Sequence, residues 1–180
     1  MYTINFLHGK LKQSKIEIPK KGVCQITGPN ASGKTTLAKS IANAFNNGEV
    51  IISRAEIINT LGPQKFQYVP QDVKLNNFIN MSVQDFFDLH RTSNNLLMQY
   101  WDNYIHTNIH KLSGGQQKFL LLTAAMSVQC IKILDEPLEN LDSNLAQQVV
   151  SFINNDKESL YIITSHSSNA DINCNLNIAL

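Results

Sequence analysis

The stretch VCQITGPNASGKTTLAKSIANAF, residues 23–45, constrains the fold more than any other part of the chain. VCQIT reads as a buried strand. The loop after it satisfies G-x-x-x-x-G-K-[ST] from Gly28 to Thr35, and Leu37, Ile41 and Phe45 then recur at helical spacing. A glycine-rich loop between a strand and a helix presents free backbone N–H groups, and the helix dipole adds to their pull on an anion. In such a loop the N–H groups of Asn30, Ala31, Ser32, Gly33 and Lys34 would wrap a β-phosphate, with Gly28, Pro29 and Thr36 completing the binding segment. Lys34 would reach the β- and γ-phosphates, and the Thr35 hydroxyl would ligate Mg²⁺.

The remaining elements fit around this unit. TINFL, SKIEI, EVIIS and KFQYV read as short strands, and IKIL and LYIIT as buried ones. Helices are expected from Leu120, Ala124 and Val128, and from Leu145, Val149 and Phe152. The order implies an α/β fold: a P-loop NTPase (RecA-like) core with a mainly parallel sheet, a small antiparallel β subdomain on the N-terminal side, and a short helical insertion. One domain over residues 1–180 is expected, with the helical subdomain at about 72–112. Ligands of such sheets collect at the carboxyl ends of the strands, which places Gly28, Asp135 and His166 at one edge.

Two further segments carry chemistry. In IKILDEP, Asp135 ends an apolar strand, where it can hold a Mg²⁺-bound water, while the adjacent Glu136 points elsewhere and can polarise an attacking water. Alone, D-E-P is a common turn; paired with the phosphate loop it reads as a site. In KLSGGQQKFLL, Ser113 and Gln116 form a capping box, which accounts for the serine but not for Gly114 and Gly115. Without Cβ atoms, those two residues let their N–H groups approach an anion closely. A second phosphate grip is useful if it closes over the nucleotide of another copy.

Taken in order, GPNASGKTT, YVPQD, LSGGQ, ILDEP, NLD and TSH resemble the motif series of ABC-type ATPase domains over about residues 22–166. The resemblance implies an ATP sandwich dimer, of two copies or with a similar ATPase, in which Ser113, Gly114, Gly115 and Gln116 meet the γ-phosphate held by the partner's loop. It implies that Gln71 touches Mg²⁺ and the attacking water, that Asp142 signals across the dimer, and that His166 contacts the γ-phosphate and steadies Glu136. Catalysis would rest on Glu136, His166 and Gln71, and the metal on Thr35, Gln71 and Asp135. An integral membrane permease would be the partner. A soluble ATPase acting on nucleic acid or ribosomes is the alternative, and a weaker likeness in QITGPN points to haem or cytochrome c maturation exporters.

Simpler readings stand beside these. Asp142 or Ser143 can cap the next helix, Tyr100, Trp101 and Tyr104 can pack a small subdomain, and Ser82 with Asp85 makes another capping box before Phe86 and Phe87. The chain departs from the family pattern at Ala31, where glycine is usual and a positive φ would be strained. The adenine-stacking aromatic is open among Phe6, Tyr2 and His8. After LSGGQQ the run KFLLLTAAM is more apolar than the family's arginine-rich helix, and the chain has the look of a minimal version without an appended domain.

Composition excludes other classes. A net charge of +1 gives no electrostatic case for nucleic acid. Three cysteines at no metal-like spacing suit a reducing compartment, and no apolar run is long enough to span a bilayer. A cytoplasmic protein, peripheral on a membrane through its partner, is expected.

Overall fold

The computed structural model describes residues 2–5, 15–47, 49–52, 55–58, 66–73, 75, 80–92, 96–166 and 171–180. Phe6 and His8 lie outside this set. Nine strands, β1 (Tyr2–Asn5), β2 (Lys15–Ile18), β3 (Gly22–Thr27), β4 (Glu49–Ile52), β5 (Ala55–Ile58), β6 (Phe66–Val69), β7 (Ile131–Asp135), β8 (Leu160–Ser165) and β9 (Leu176–Ala179), accompany four α-helices among the described residues. These are α1 (Lys34–Asn47), α2 (Val83–Leu89), α3 (Gly114–Met126) and α4 (Ser143–Asn155).

The central sheet runs β6-β7-β8-β3-β9 and every pairing in it is parallel. Its inner strands β7, β8 and β3 are buried on both faces, as parallel sheets favour. On one face α1 lays Leu37, Ala38 and Ile41 against Cys24, Ile26, Ile133 and Ile162. The opposite face presents Val23, Leu134, Tyr161 and Ile163 to α3 and α4. Successive side chains of β8 alternate between the two clusters, so the layers follow from the period of two along a strand. The pairs β1-β2 and β4-β5 are antiparallel, as the expected small β subdomain requires.

Three features differ from the sequence expectation. Strands β5 and β9 were not anticipated; β5 pairs with β4, and β9 extends the sheet beyond β3, with Cys24 opposite Leu176 and Thr27 opposite Ala179. Helix α3 stops at Met126, short of Val128, because the Ser127 N–H bonds back to Ala124 and its hydroxyl to the Thr123 carbonyl, tightening the last turn. In α4 the buried positions are Leu145, Val149 and Ile153, with Phe152 only half-buried beside them.

Among its described residues the insertion holds one α-helix and two 3-10 helices, Leu96–Asn103 and Ile109–Lys111. Ser82 caps α2 through a reciprocal box with Asp85. Trp101 is fully buried, stacks on Phe119 of α3 at 5.8 Å between ring centroids and donates its Nε1–H to Thr123 Oγ1 at 3.1 Å. Tyr100 meets Phe119 edge-on at 5.2 Å and stacks on Tyr104 at 5.3 Å. This packing explains why the helix after LSGGQQ is so apolar: α3 has no wet face here, and an arginine at 119 would be buried against the indole.

Candidate active site

Strand β3 ends at Thr27 and the glycine-rich loop turns directly into α1 at Lys34. Two residues of the loop take left-handed backbone, Ala31 at φ 60° and Gly33 at φ 104°. Ala31 therefore holds the strained conformation its sequence position suggested, at a cost a glycine would avoid. Lys34 is buried and its Nζ donates to the carbonyls of Gly28 at 2.9 Å and Pro29 at 3.2 Å. The register brings the other motifs to the same edge: Thr27 pairs with Ser165, and Asp135 with Thr164.

Asp135 is 1% exposed and fully partnered. Its Oδ1 accepts from Thr35 Oγ1 at 3.1 Å and Thr164 Oγ1 at 2.5 Å, and its Oδ2 from the Tyr68 hydroxyl at 3.2 Å. Burial, reinforced by the Asp135 charge and hydrogen bond, pushes the Tyr68 phenol well above its ordinary range, so it stays a donor. Thr164 also accepts from the Glu136 N–H at 2.9 Å, fixing the acid pair to β8. Glu136 sits at φ 47°. Its Oε1 is buried and makes no hydrogen bond; the Lys34 ammonium lies 3.4 Å away and His166 Nε2 3.6 Å away.

A cavity of about 420 Å³ has Asn30, Ala31, Gly33, Lys34, Thr35, Thr36, Gln71, Glu136, Glu139 and His166 on its walls. Gln71 donates its amide to Glu139 Oε2 at 2.8 Å. The donor set fits Mg²⁺: the Thr35 hydroxyl and Asp135 carboxylate are adjacent hard oxygens. Thr35 Oγ1 lies 3.1 Å from Asp135 Oδ1, and Mg²⁺ is commonly held through one or two such protein oxygens with water and phosphate completing its shell. Ser32 Oγ and Glu136 Oε1, buried and without a hydrogen bond, are polar atoms of the kind a polar ligand would satisfy.

Ser113, Gly114, Gly115 and Gln116 are not on these walls. They open α3 on the surface, where Ser113 and Gln116 form the anticipated capping box and Gln116 donates to the Tyr100 hydroxyl at 2.9 Å. The two glycines differ. A Cβ at Gly114 would meet open space, whereas one at Gly115 would stand 2.5 Å from the Asn140 carbonyl oxygen. Gly115 thus has a packing reason that the anion reading did not supply. Asp142 caps α4 by accepting from the Leu145 N–H at 2.9 Å, the simpler of its two readings.

Sequence reasoning did not find Tyr68, Thr164, Glu139 or Lys118. Lys118 is 2% exposed and donates to the carbonyls of Glu136 at 2.6 Å and Glu139 at 3.1 Å. One signal was available for it: a single cation inside the apolar run of α3.

With the loop, the paired acids and the surface turn placed, comparison with known proteins decides the family. The ABC transporter family model matches residues 11–139. The chain belongs to the ABC transporter family. A zinc import ATP-binding protein, ZnuC, of Vibrio cholerae is 31% identical over 139 residues, 73% of this chain and 51% of its own length. ZnuC of Rickettsia prowazekii is 32% identical over 162 residues, 83% of this chain and 66% of its own. This ABC-family chain therefore spans between half and two thirds of the length of these curated relatives. An ABC transporter ATP-binding protein from Pyrococcus furiosus superposes with a TM-score of 0.75 over 99% of this chain and 96% of its own, at 22% identity, which shows the P-loop ATPase fold.

Proposed function

We propose that this ABC-family chain binds and hydrolyses ATP with Mg²⁺, pairs head to tail with a second copy or a similar ATPase, and drives a membrane permease from the cytoplasmic side. One observation carries the hydrolysis reading: the buried Glu136 Oε1, free of hydrogen bonds, faces both Lys34 and His166 at the wall of the glycine-loop cavity.

In this reading a water attacks the γ-phosphorus in line. Its oxygen forms the new P–O bond, its proton passes to the Glu136 carboxylate, and the bond to the bridging oxygen breaks with ADP taking the electron pair. His166 and Gln71 orient the water, and Lys34 meets charge on the phosphoryl oxygens. When bound between Thr35 and Asp135, Mg²⁺ supplies further neutralisation of that charge. The Ser113–Gly114 turn is exposed and not on the walls of its own chain's cavity, which supports a role on the nucleotide of a facing copy. Among the described residues no helix is long and apolar enough to cross a membrane, which suits a subunit working through a partner. The relatives bear a zinc-import name and none of those cited carries the haem-exporter label, so a divalent metal is the cargo class we favour.

Glu136→Gln tests the mechanism. Loss of the base should slow phosphate release on the order of a hundredfold, equivalent to about 3 kcal/mol of barrier. The variant should bind ATP and accumulate as dimer in size-exclusion chromatography. Turnover at the wild-type rate would remove Glu136 from the chemistry.

A further inference from the structure

The loop carrying the acid pair is held from behind. Between β7 and α4, two non-glycine residues take left-handed backbone, Glu136 at φ 47° and Asn140 at φ 64°. An L-residue stays in that region only where its surroundings fix it. At Glu136 the N–H is fixed by Thr164 Oγ1. Its carbonyl oxygen receives the Glu139 N–H at 3.2 Å and the Lys118 ammonium at the shorter 2.6 Å, and the same ammonium reaches the Glu139 carbonyl at 3.1 Å. Both residues it binds through the backbone line the cavity.

We propose that Lys118 is a positioning residue for Glu136: its buried ammonium clamps the Glu136 and Glu139 carbonyls and ties the base-bearing loop to the helix that begins with Gly114. The inference rests on the hydrolysis reading above and deepens it. Nothing in the motif series assigns a role to position 118, yet this side chain is the charged link from α3 to the loop. A buried ammonium is tolerated where it is hydrogen-bonded and compensated; here burial disfavours the charge, and the negative charges of Glu139, Glu136, Asp72 and Asp135 offset part of that. Gly115 adds to the link by letting the Asn140 carbonyl lie against α3. The aim of Glu136 therefore depends on where α3 sits, and the first turn of α3 is the segment assigned to the facing nucleotide. A copy docking on that turn would adjust the base of the chain it docks on.

Lys118→Met removes the donors while keeping most of the volume, and Lys118→Gln keeps an amide donor. With the base misplaced by a fraction of an ångström to an ångström, kcat for phosphate release should fall about ten- to hundredfold in Lys118→Met. Affinity for a fluorescent ATP analogue should stay at the wild-type value, since the glycine loop and Lys34 are untouched, and Lys118→Gln should recover part of the rate. Wild-type kcat in both variants, or nucleotide affinity falling in step with kcat, would overturn the proposal. If Lys118→Met does not fold, Lys118→Gln alone carries the comparison. If the wild-type chain releases no phosphate, the hydrolysis reading fails separately. The clamp is then read by hydrogen exchange in nucleotide-free protein: amides of residues 136–140 should exchange faster in Lys118→Gln than in wild type while those of β8 do not, and equal rates would refute it.

Discussion

Gly114 and Gly115 are neighbours in sequence, yet the same substitution should act on them with opposite sign. Neither has a positive φ, so alanine meets no backbone strain at either. At Gly114 a Cβ finds nothing within 4 Å, and alanine gains up to about 1 kcal/mol of helix propensity. At Gly115 it would stand 2.5 Å from Asn140 O, 3.6 Å from its carbonyl carbon and 3.8 Å from Leu141 Cα. Those are backbone atoms and cannot swing aside, so overpacking of about 1–3 kcal/mol sets against the same gain. The net is a loss of roughly 1 kcal/mol, and for a domain of this size each kcal/mol moves Tm by about 2–4 °C. Thermal unfolding without nucleotide should show Gly114→Ala at or above the parent and Gly115→Ala below it. In the Glu136→Gln background, Gly114→Ala should also raise the ATP concentration needed for dimer formation, because its methyl stands where a phosphate would approach the N–H. A Gly115→Ala melting point equal to or above that of Gly114→Ala would refute the packing account. Unaltered dimerisation by Gly114→Ala would refute the anion account.

Two further outcomes follow from buried groups away from the cavity. Trp101→Ala empties the joint between the insertion and α3 and removes the indole donor to Thr123 Oγ1, which keeps its bond to the Phe119 carbonyl, and should cost about 3–5 kcal/mol in urea unfolding. Asp156 is pulled upward by burial, but hydrogen bonds from the Tyr161 and Ser159 hydroxyls and from the Glu158 and Ser159 N–H groups outweigh this and hold its carboxyl below the usual range. A depressed folded pKa gives stability that is present above the unfolded value of about 3.9 and is lost as pH falls through the folded one. Asp156→Asn should therefore lower the denaturation midpoint at pH 7 and flatten its decline below about pH 4.

The edge of the sheet was legible because each motif directly follows an apolar strand, and a parallel sheet sends such ends the same way. That rule needs no knowledge of contacts, and it placed Gly28, Asp135 and His166 together. What it could not supply were partners far apart along the chain. Tyr68 reaches Asp135 across 67 positions and Gln71 reaches Glu139 across 68, with nothing local to announce either. Strand β9 was hidden by its brevity, four residues with only Ile178 buried. The glycine pair shows a subtler limit: sequence says that a Cβ is absent, and only coordinates say whether a phosphate or a neighbouring carbonyl takes the space.

On the hydrolysis proposed above, the left-handed backbone of Glu136 sets folding against turnover. Asparagine or glycine would occupy φ 47° at less cost, by about 1 kcal/mol or more. Any lineage that kept nucleotide binding but gave up hydrolysis would thus gain robustness by drifting to one of them. On the function proposed above, a glutamate is kept here at that cost for its carboxylate, which also pairs with the buried Lys34.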